Sequence, residues 1–223
     1  MKIRILGAGP AGLSFAALMK RLDPSHDVAI VERNPRDATW GFGVVFSDRA
    51  LEFLRADDDA LYRYLTPHLE TWPDITIAHN DTAIPIAGNG FASIGRLELL
   101  TLLYDYVERL GVKLHFDQEI TTLAQLGDAD LVVGANGAFS WLRNEHADRF
   151  GTTIDWRSNR FIWYGSTKAF DSLTLTFRET DAGETRDASR AQPERAREER
   201  RDLELFREKI DAQLVKTRRL LEG

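Results

Sequence analysis

Gly7-Ala8-Gly9-Pro10-Ala11-Gly12, entered from Lys2-Ile3-Arg4-Ile5-Leu6, decides how the rest of the chain is read. The spacing is G-x-G-x-x-G. Alone it is a weak signal, because glycine turns are common. Its surroundings make it specific: a β-branched, apolar run precedes it, and Leu13, Ala16, Ala17 and Met19 follow at helical spacing. After a break at Asp23-Pro24-Ser25, a second apolar run, Val28-Ala29-Ile30-Val31, ends at Glu32, twenty residues beyond Gly12. A strand, glycine turn, helix and strand closed by an acidic residue suit a dinucleotide. Gly7 permits the tight turn, Gly9 lets the backbone approach a pyrophosphate, and Gly12 lets helix and strand pack closely. Pro10 and Ala11 open the helix, whose free N–H groups and positive dipole end face the phosphates. Glu32, with Arg33 beside it, is placed to accept from ribose hydroxyls. The bland alternative is a glycine turn with a capping glutamate.

Working outward, residues 35–46 read as a glycine-rich loop and residues 48–65 as a helix capped by Ser47. Residues 75–79 and 83–86 are brief strand candidates around a polar turn. Residues 97–110 are strongly helical up to Gly111, a strand follows at residues 113–116, and Asp130-Leu131-Val132-Val133 is another buried strand closing on Gly134 and Gly137. Alternation of apolar strands with helices predicts an α/β fold, a Rossmann-like parallel sheet covered on both faces. From Arg160 the texture changes: Phe161-Ile162-Trp163-Tyr164 and residues 173–177 read as the beginning of an antiparallel sheet in a second domain. Of the 40 residues from 184 to 223, 21 are charged, and Leu203, Phe206, Ile210, Leu214 and Leu221 recur at spacings of three, four, four and seven. That pattern predicts one amphipathic C-terminal helix. Its stripe would cover the parent domain or pair with a second copy in self-association; a disordered charged tail is the other possibility.

The chain has 223 residues, 43% hydrophobic and 29% charged, which suits a globular protein. A net charge of −6 and a pI near 5.4 argue against nucleic acid as partner. The sequence contains no run long enough to span a membrane and no secretory leader, so a cytoplasmic location is expected. With no cysteine, disulfides, thiolate metal sites and a cysteine nucleophile are excluded. His26, His68, His79, His115 and His146 show no ligand spacing, so no metal is expected, and Ser14 and Ser47 lack a nucleophile-elbow context.

Three further segments bear on the choice between FAD and NAD. Residues 130–143, with Asn136-Gly137-Ala138-Phe139-Ser140-Trp141-Leu142-Arg143 at their end, resemble the second fingerprint of the para-hydroxybenzoate hydroxylase family of FAD-dependent aromatic monooxygenases. Gly137, Ser140 and Arg143 match, and Asn136 stands where the family has Asp, keeping the hydrogen bonds and losing the charge. Gly95-Arg96-Leu97-Glu98-Leu99-Leu100 resembles the family's Arg-x-x-Leu at a helix start. The resemblance implies that Arg96 reaches phosphate or ribityl oxygens. The bland alternative for Ser140 and Arg143 is a helix cap and a surface charge, and for Arg96 an exposed helix start.

Trp40-Gly41-Phe42-Gly43-Val44-Val45-Phe46-Ser47-Asp48 is far less generic. With Glu32-Arg33-Asn34 and Asn159-Arg160-Phe161-Ile162-Trp163 it resembles the aryl-CoA hydroxylase branch, which comprises salicyloyl-CoA 5-hydroxylase and the monooxygenase part of anthraniloyl-CoA monooxygenase/reductase. The resemblance implies FAD as cofactor, NAD(P)H as co-substrate, O2, and an aromatic substrate carried as a CoA thioester, such as salicyloyl-CoA or anthraniloyl-CoA. It places Gly41, Phe42, Gly43 and Val44 near the flavin ring and assigns no catalytic side chain, since the cofactor carries the hard step.

The resemblance covers residues 1–183, an FAD-binding domain in which residues 75–90 and 160–180 form part of the substrate-domain sheet. The family's third flavin fingerprint, a Gly-Asp followed by small residues, has no counterpart, and residues 184–223 stand apart as the charged tail. On this reading the chain is a shortened member that holds FAD loosely and turns over poorly. Two other readings stay open: a non-catalytic dinucleotide-binding module and an NAD-dependent oxidoreductase.

Overall fold

A computed structural model describes residues 1–79, 82–156, 170–180 and 183–186. The chain divides into two compact units, Met1–Thr71 with Gly90–Trp163, and Trp72–Asn89 with Tyr164–Gly223. The first opens as expected with β1 (Lys2–Leu6), α1 (Pro10–Leu22) and β2 (Asp27–Val31). The other strands and α-helices, in order, are β3 (Gly43–Ser47), α2 (Asp48–Asp57), α3 (Asp59–Leu65), β4 (Glu70–Trp72), β5 (Ile75–His79), β6 (Thr82–Ile86) and β7 (Phe91–Gly95). Then follow α4 (Arg96–Arg109), β8 (Lys113–His115), β9 (Leu131–Gly134), α5 (Trp141–Glu145), α6 (Ala147–Phe150), β10 (Leu173–Thr180) and β11 (Gly183–Arg186).

The first unit is built on a parallel sheet of order β8-β2-β1-β9. Ile3 and Ile5 of β1 lie opposite Val28 and Ile30 of β2, and all four are fully buried. Leu13, Ala16 and Ala17 of α1 share their core, as do Leu99, Leu103 and Val107 of α4. The alanines let helix and sheet approach closely. Gly111, at φ +84°, ends the segment that follows α4, and β8 enters the sheet through the pairing Ile30↔Leu114.

One ion cluster stitches three strands together. The Asp27 carboxylate on β2 accepts from Lys113 Nζ on β8 at 2.8 Å and from Arg4 Nη2 on β1 at 2.9 Å. These bonds hold its carboxyl down at about 2. A depressed folded-state value contributes stability that is fully present above the unfolded value of about 3.9 and is lost as pH falls through the folded one. Acid should therefore weaken the sheet between about pH 4 and about pH 2. Asp27→Asn should flatten that part of the curve of denaturation midpoint against pH; a curve of unchanged shape would remove Asp27 from the account.

Two local expectations are corrected. The loop expected at residues 35–46 contains the start of a strand: β3 pairs antiparallel with β7, in register Gly43↔Gly95 and Phe46↔Ala92, within a sheet of order β3-β7-β4. The single helix expected at 48–65 is two. Ser47 caps α2, accepting from Ala50 N at 3.2 Å. The chain then breaks at Asp58, whose buried carboxylate accepts from Leu61 N at 2.9 Å, caps α3, and takes bonds from Arg21 Nη1 and the Tyr106 hydroxyl. Arg21 and Tyr106 come from α1 and α4, so the break has a tertiary cause.

The second unit holds a sheet of order β11-β10-β5-β6. The pairs β5–β6 and β10–β11 are antiparallel, whereas β10 runs parallel to β5, Leu173 opposite Ile75. Strands so far apart in sequence meet through a crossover, where a hairpin would have made them antiparallel. The strand expected at residues 161–164 lies outside the described residues, and so does the C-terminal helix. Among the described residues no helix is long and apolar enough to cross a membrane.

Candidate dinucleotide-binding site

The C-terminal ends of β1, β2 and β9 and the first turns of α1 and α4 line a cavity of about 260 Å3, all within the first unit. Of the residues expected at a dinucleotide site, Gly7, Gly9, Pro10 and Glu32 line it, as do Arg33, Arg96, Asn136 and Gly137.

The three fingerprint glycines are glycines for two reasons. Gly7 sits at φ +100°, and a Cβ there would lie 2.5 Å from the Ala135 carbonyl oxygen. A Cβ on Gly12 would lie 2.2 Å from the Gly7 carbonyl oxygen. Protein backbone therefore excludes a side chain at both. Gly9 has an ordinary φ of −77°, and a Cβ there would meet nothing within 4 Å. Its missing side chain leaves open space at the mouth of α1. No side chain caps that helix, and Pro10 occupies its first turn without an N–H to satisfy.

Glu32 is fixed from two sides. Its Oε2 accepts from Ala8 N at 3.0 Å, and its Oε1 accepts from Asn34 N at 2.9 Å and Asn34 Nδ2 at 2.7 Å. The carboxylate thus ties the glycine turn to the end of β2. The Gln118 N–H donates to the Glu32 carbonyl at 3.0 Å, bringing the segment after β8 alongside.

Arg96, Leu100 and Tyr104, spaced by four on one face of α4, form another wall. Burial, with the Glu32 charge nearby, pushes the Tyr104 phenol up, against the opposing effect of Arg36. The Arg36 guanidinium lies 5.2 Å from the Tyr104 ring centroid and 5.5 Å from that of Phe116. It makes a two-pronged bond to Glu108, 2.7 Å at each oxygen, which raises Arg36 and lowers the Glu108 carboxyl from their ordinary values. The loop after β2 is thereby held onto α4. That loop brings Thr39 and Trp40 to the cavity.

Sequence reasoning missed Tyr104, Thr39 and Gln118. For Tyr104 a signal existed, because its spacing from Arg96 puts both on one helical face. Thr39 and Gln118 are loop residues brought in by distant contacts.

The other expected residues lie off the cavity. Ser140 is buried and caps α5, accepting from Arg143 N at 3.2 Å, while the Arg143 guanidinium bonds Asn144 Oδ1. Gly41, at φ +89°, and the exposed Phe42 precede β3, Gly43 begins that strand, and Val44 packs on the core. None of these four lines the cavity, but the Phe42 carbonyl accepts from Arg96 N at 2.9 Å, which ties this loop to the start of α4. Ala11 lies within the first turn of α1, and Gly12 is buried beneath it.

No protein-family model matches the chain. Over 183 residues, 82% of its length, it is 42% identical to salicyloyl-CoA 5-hydroxylase from a Streptomyces species, of which it covers 35%. It is 31% identical, again over 183 residues, to 3-hydroxy-4-methyl-anthranilyl-[aryl-carrier protein] 5-monooxygenase of Streptosporangium sibiricum, covering 51% of that protein. With protodeoxyviolaceinate monooxygenase of Chromobacterium violaceum it shares 32% identity over 187 residues, covering 80% of this chain and 48% of that one. The chain thus spans about a third to a half of the length of these curated relatives. Among solved structures, the tetrameric form of 2-methyl-3-hydroxypyridine-5-carboxylic acid oxygenase superposes with a TM-score of 0.62 at 20% identity, over 79% of this chain and 52% of that one. CtdE, solved in complex with FAD and a substrate, superposes with a TM-score of 0.52 at 22% identity, over 65% of this chain and 40% of that one. These structures share its fold. A glycine turn shaped around open space and an anchored acidic residue after β2 accompany extended identity to one hydroxylase and two monooxygenases, and the chain is a homologue of these proteins over about four fifths of its length.

Proposed function

We propose that this chain is the FAD-binding part of an aromatic-ring monooxygenase that uses NAD(P)H and O2, with an aryl-CoA thioester such as salicyloyl-CoA or anthraniloyl-CoA as substrate. One observation carries the cofactor reading: Gly9, at the uncapped start of α1, is the fingerprint glycine whose Cβ position is open. A pyrophosphate laid there would meet N–H donors and the positive end of the helix. In this reading Pro10 and Ala11 shape the turn that receives it, Gly7 and Gly12 hold helix and strand together, and Glu32 accepts from the adenosine ribose. Arg33 and Arg96 flank the phosphates. Asn136 and Gly137 form the opposite rim, and Ser140 supports that rim, its N–H donating to the Gly137 carbonyl at 3.2 Å. Arg143 acts behind it, through the cap of α5.

At about 260 Å3 the cavity falls just below the range of about 300–1,000 Å3 usual for ligand pockets, so it suits one part of a dinucleotide. The remainder would extend past Trp40 toward Gly41, Phe42, Gly43 and Val44, which we assign to the flavin end. Bound FAD supplies the redox chemistry; the protein's share is binding, orientation and exclusion of water. The substrate class rests on the 42% identity to salicyloyl-CoA 5-hydroxylase.

The test is the visible spectrum of the protein after incubation with FAD and gel filtration, followed by NAD(P)H and then an aryl-CoA. Retained flavin absorbance that bleaches faster when the aryl-CoA is present is the expected result. Flavin retained but never reduced would favour a non-catalytic module. Retention of NAD with no retained flavin would favour an NAD-dependent oxidoreductase.

A further inference from the structure

Among the described residues, two buried side-chain polar atoms lack a hydrogen-bond partner, Thr39 Oγ1 and Asn136 Oδ1. Thr39 lies in the loop after β2, and Asn136 in the turn after β9. Both residues line the same cavity. A buried polar atom without a partner is penalised, and a folded chain tolerates very few, so each needs an explanation. Their convergence on one cavity supplies it, since a ligand there would bring the missing partners.

Resting on the FAD reading, we infer that Thr39 and Asn136 are ligand-binding residues of this cavity, and that they take sugar or sugar-alcohol hydroxyls of the dinucleotide. The assignment follows from the chemistry of the atoms. The Asn136 amide presents Oδ1, which accepts, and turned over it presents Nδ2, which donates; a hydroxyl pairs with either, whereas an ionised phosphate only accepts and cannot pair with Oδ1. The Thr39 hydroxyl both donates and accepts, which suits a neighbouring hydroxyl of the same chain of carbons. The phosphates have their own place at Gly9 and the start of α1.

Thr39 is also held in position without a ligand. Ala38 N donates to the Pro35 carbonyl at 3.1 Å, closing the turn before it, and Arg36 clamps the loop to Glu108. The unpartnered hydroxyl is therefore a property of the ligand-free fold. Binding then relieves an existing penalty instead of first ordering the loop, which is preorganisation.

The inference has a thermodynamic signature that a structural role would not produce. Thr39→Val and Asn136→Leu remove the orphaned atoms with little change of volume. Each should weaken FAD roughly three- to tenfold in a fluorescence titration, the effect of one lost hydrogen bond. The thermal midpoint of the ligand-free protein should stay level or rise. Thr39→Ser should keep FAD affinity within about twofold, because the hydroxyl is retained. Repeating the titrations with ADP separates the sources: loss with both ligands assigns the adenosine ribose, and loss with FAD alone assigns the ribityl chain. Unchanged FAD affinity in both variants overturns the inference, as does a ligand-free midpoint that falls in step with affinity. If Glu32→Ala loses FAD while these variants do not, the FAD site stands and this inference alone falls. Failure of the unaltered chain to bind FAD removes both.

Discussion

Gly12→Ala should destabilise the ligand-free protein by about 3 kcal/mol or more, whereas Gly9→Ala should change that stability by less than about 1 kcal/mol. The two residues sit three positions apart in one turn. A Cβ on Gly12 would stand 2.2 Å from the Gly7 carbonyl oxygen and 3.3 Å from both Ile5 Cγ2 and Ala135 Cβ. The nearest obstacle is backbone, with no flexible side chain to swing aside, so α1 must lift from β1 and disturb the core around Ile5 and Leu13. That places the cost at or beyond the top of the range for overpacked interiors. At Gly9 the added methyl enters empty space at a φ that alanine adopts freely. Its cost appears only when something occupies that space. FAD affinity should fall at least about tenfold in Gly9→Ala, because the methyl stands where the pyrophosphate would approach the backbone. Urea unfolding without flavin and fluorescence titration with it measure the two quantities. Equal losses of stability in both variants would show that open space at Gly9 has no meaning for binding.

Glu32→Ala should weaken FAD by about 1–3 kcal/mol, the scale for hydrogen bonds to a charged group. The bonds that the carboxylate makes within the protein sharpen this expectation. Its Oε1 is engaged by Asn34 through two bonds and its Oε2 by Ala8 N, so both oxygens are oriented before a ligand arrives. Alanine removes the ribose acceptor and frees three donors at once; some loss of ligand-free stability should accompany the loss of affinity. Glu32→Gln keeps one accepting oxygen and turns the other into a donor facing an N–H. It should fall between wild type and alanine in both measurements. FAD affinity unchanged in Glu32→Ala would reject the ribose assignment, whatever happened to stability.

These expectations rest on parts of the chain that differ in how far local sequence controls them. The unit from Lys2 to Glu32 was readable because every signal in it is local: an apolar run, a glycine spacing, a helical period and a second apolar run. The helix ending before Gly111 was readable for the same reason. So was the likeness to monooxygenases, since the Gly41-Phe42-Gly43-Val44 stretch is distinctive as a string, although the same string conceals a strand. Gly43–Ser47 becomes β3 only because β7, about fifty residues later, supplies its hydrogen bonds. Short apolar runs carry no period long enough to choose between strand and loop.

The sequence by itself determined the glycine turn, the acidic residue after β2 and the helical periods of α1 and α4. Tertiary structure decided which members of a motif face the cavity. Ser140 and Arg143 match the fingerprint, yet Ser140 Oγ accepts from Arg143 N and the Arg143 guanidinium donates to Asn144 Oδ1, which turns them to the cap of α5. Thr39 belongs to no motif and lines the cavity because Arg36 finds Glu108 across 72 residues of chain. Asp58 splits a continuous helical pattern because Arg21 and Tyr106 meet its carboxylate from two other helices. Period and glycine spacing act over a few residues, and the chain writes them openly. A hydrogen bond to a distant residue exists only once the core has brought the two ends together.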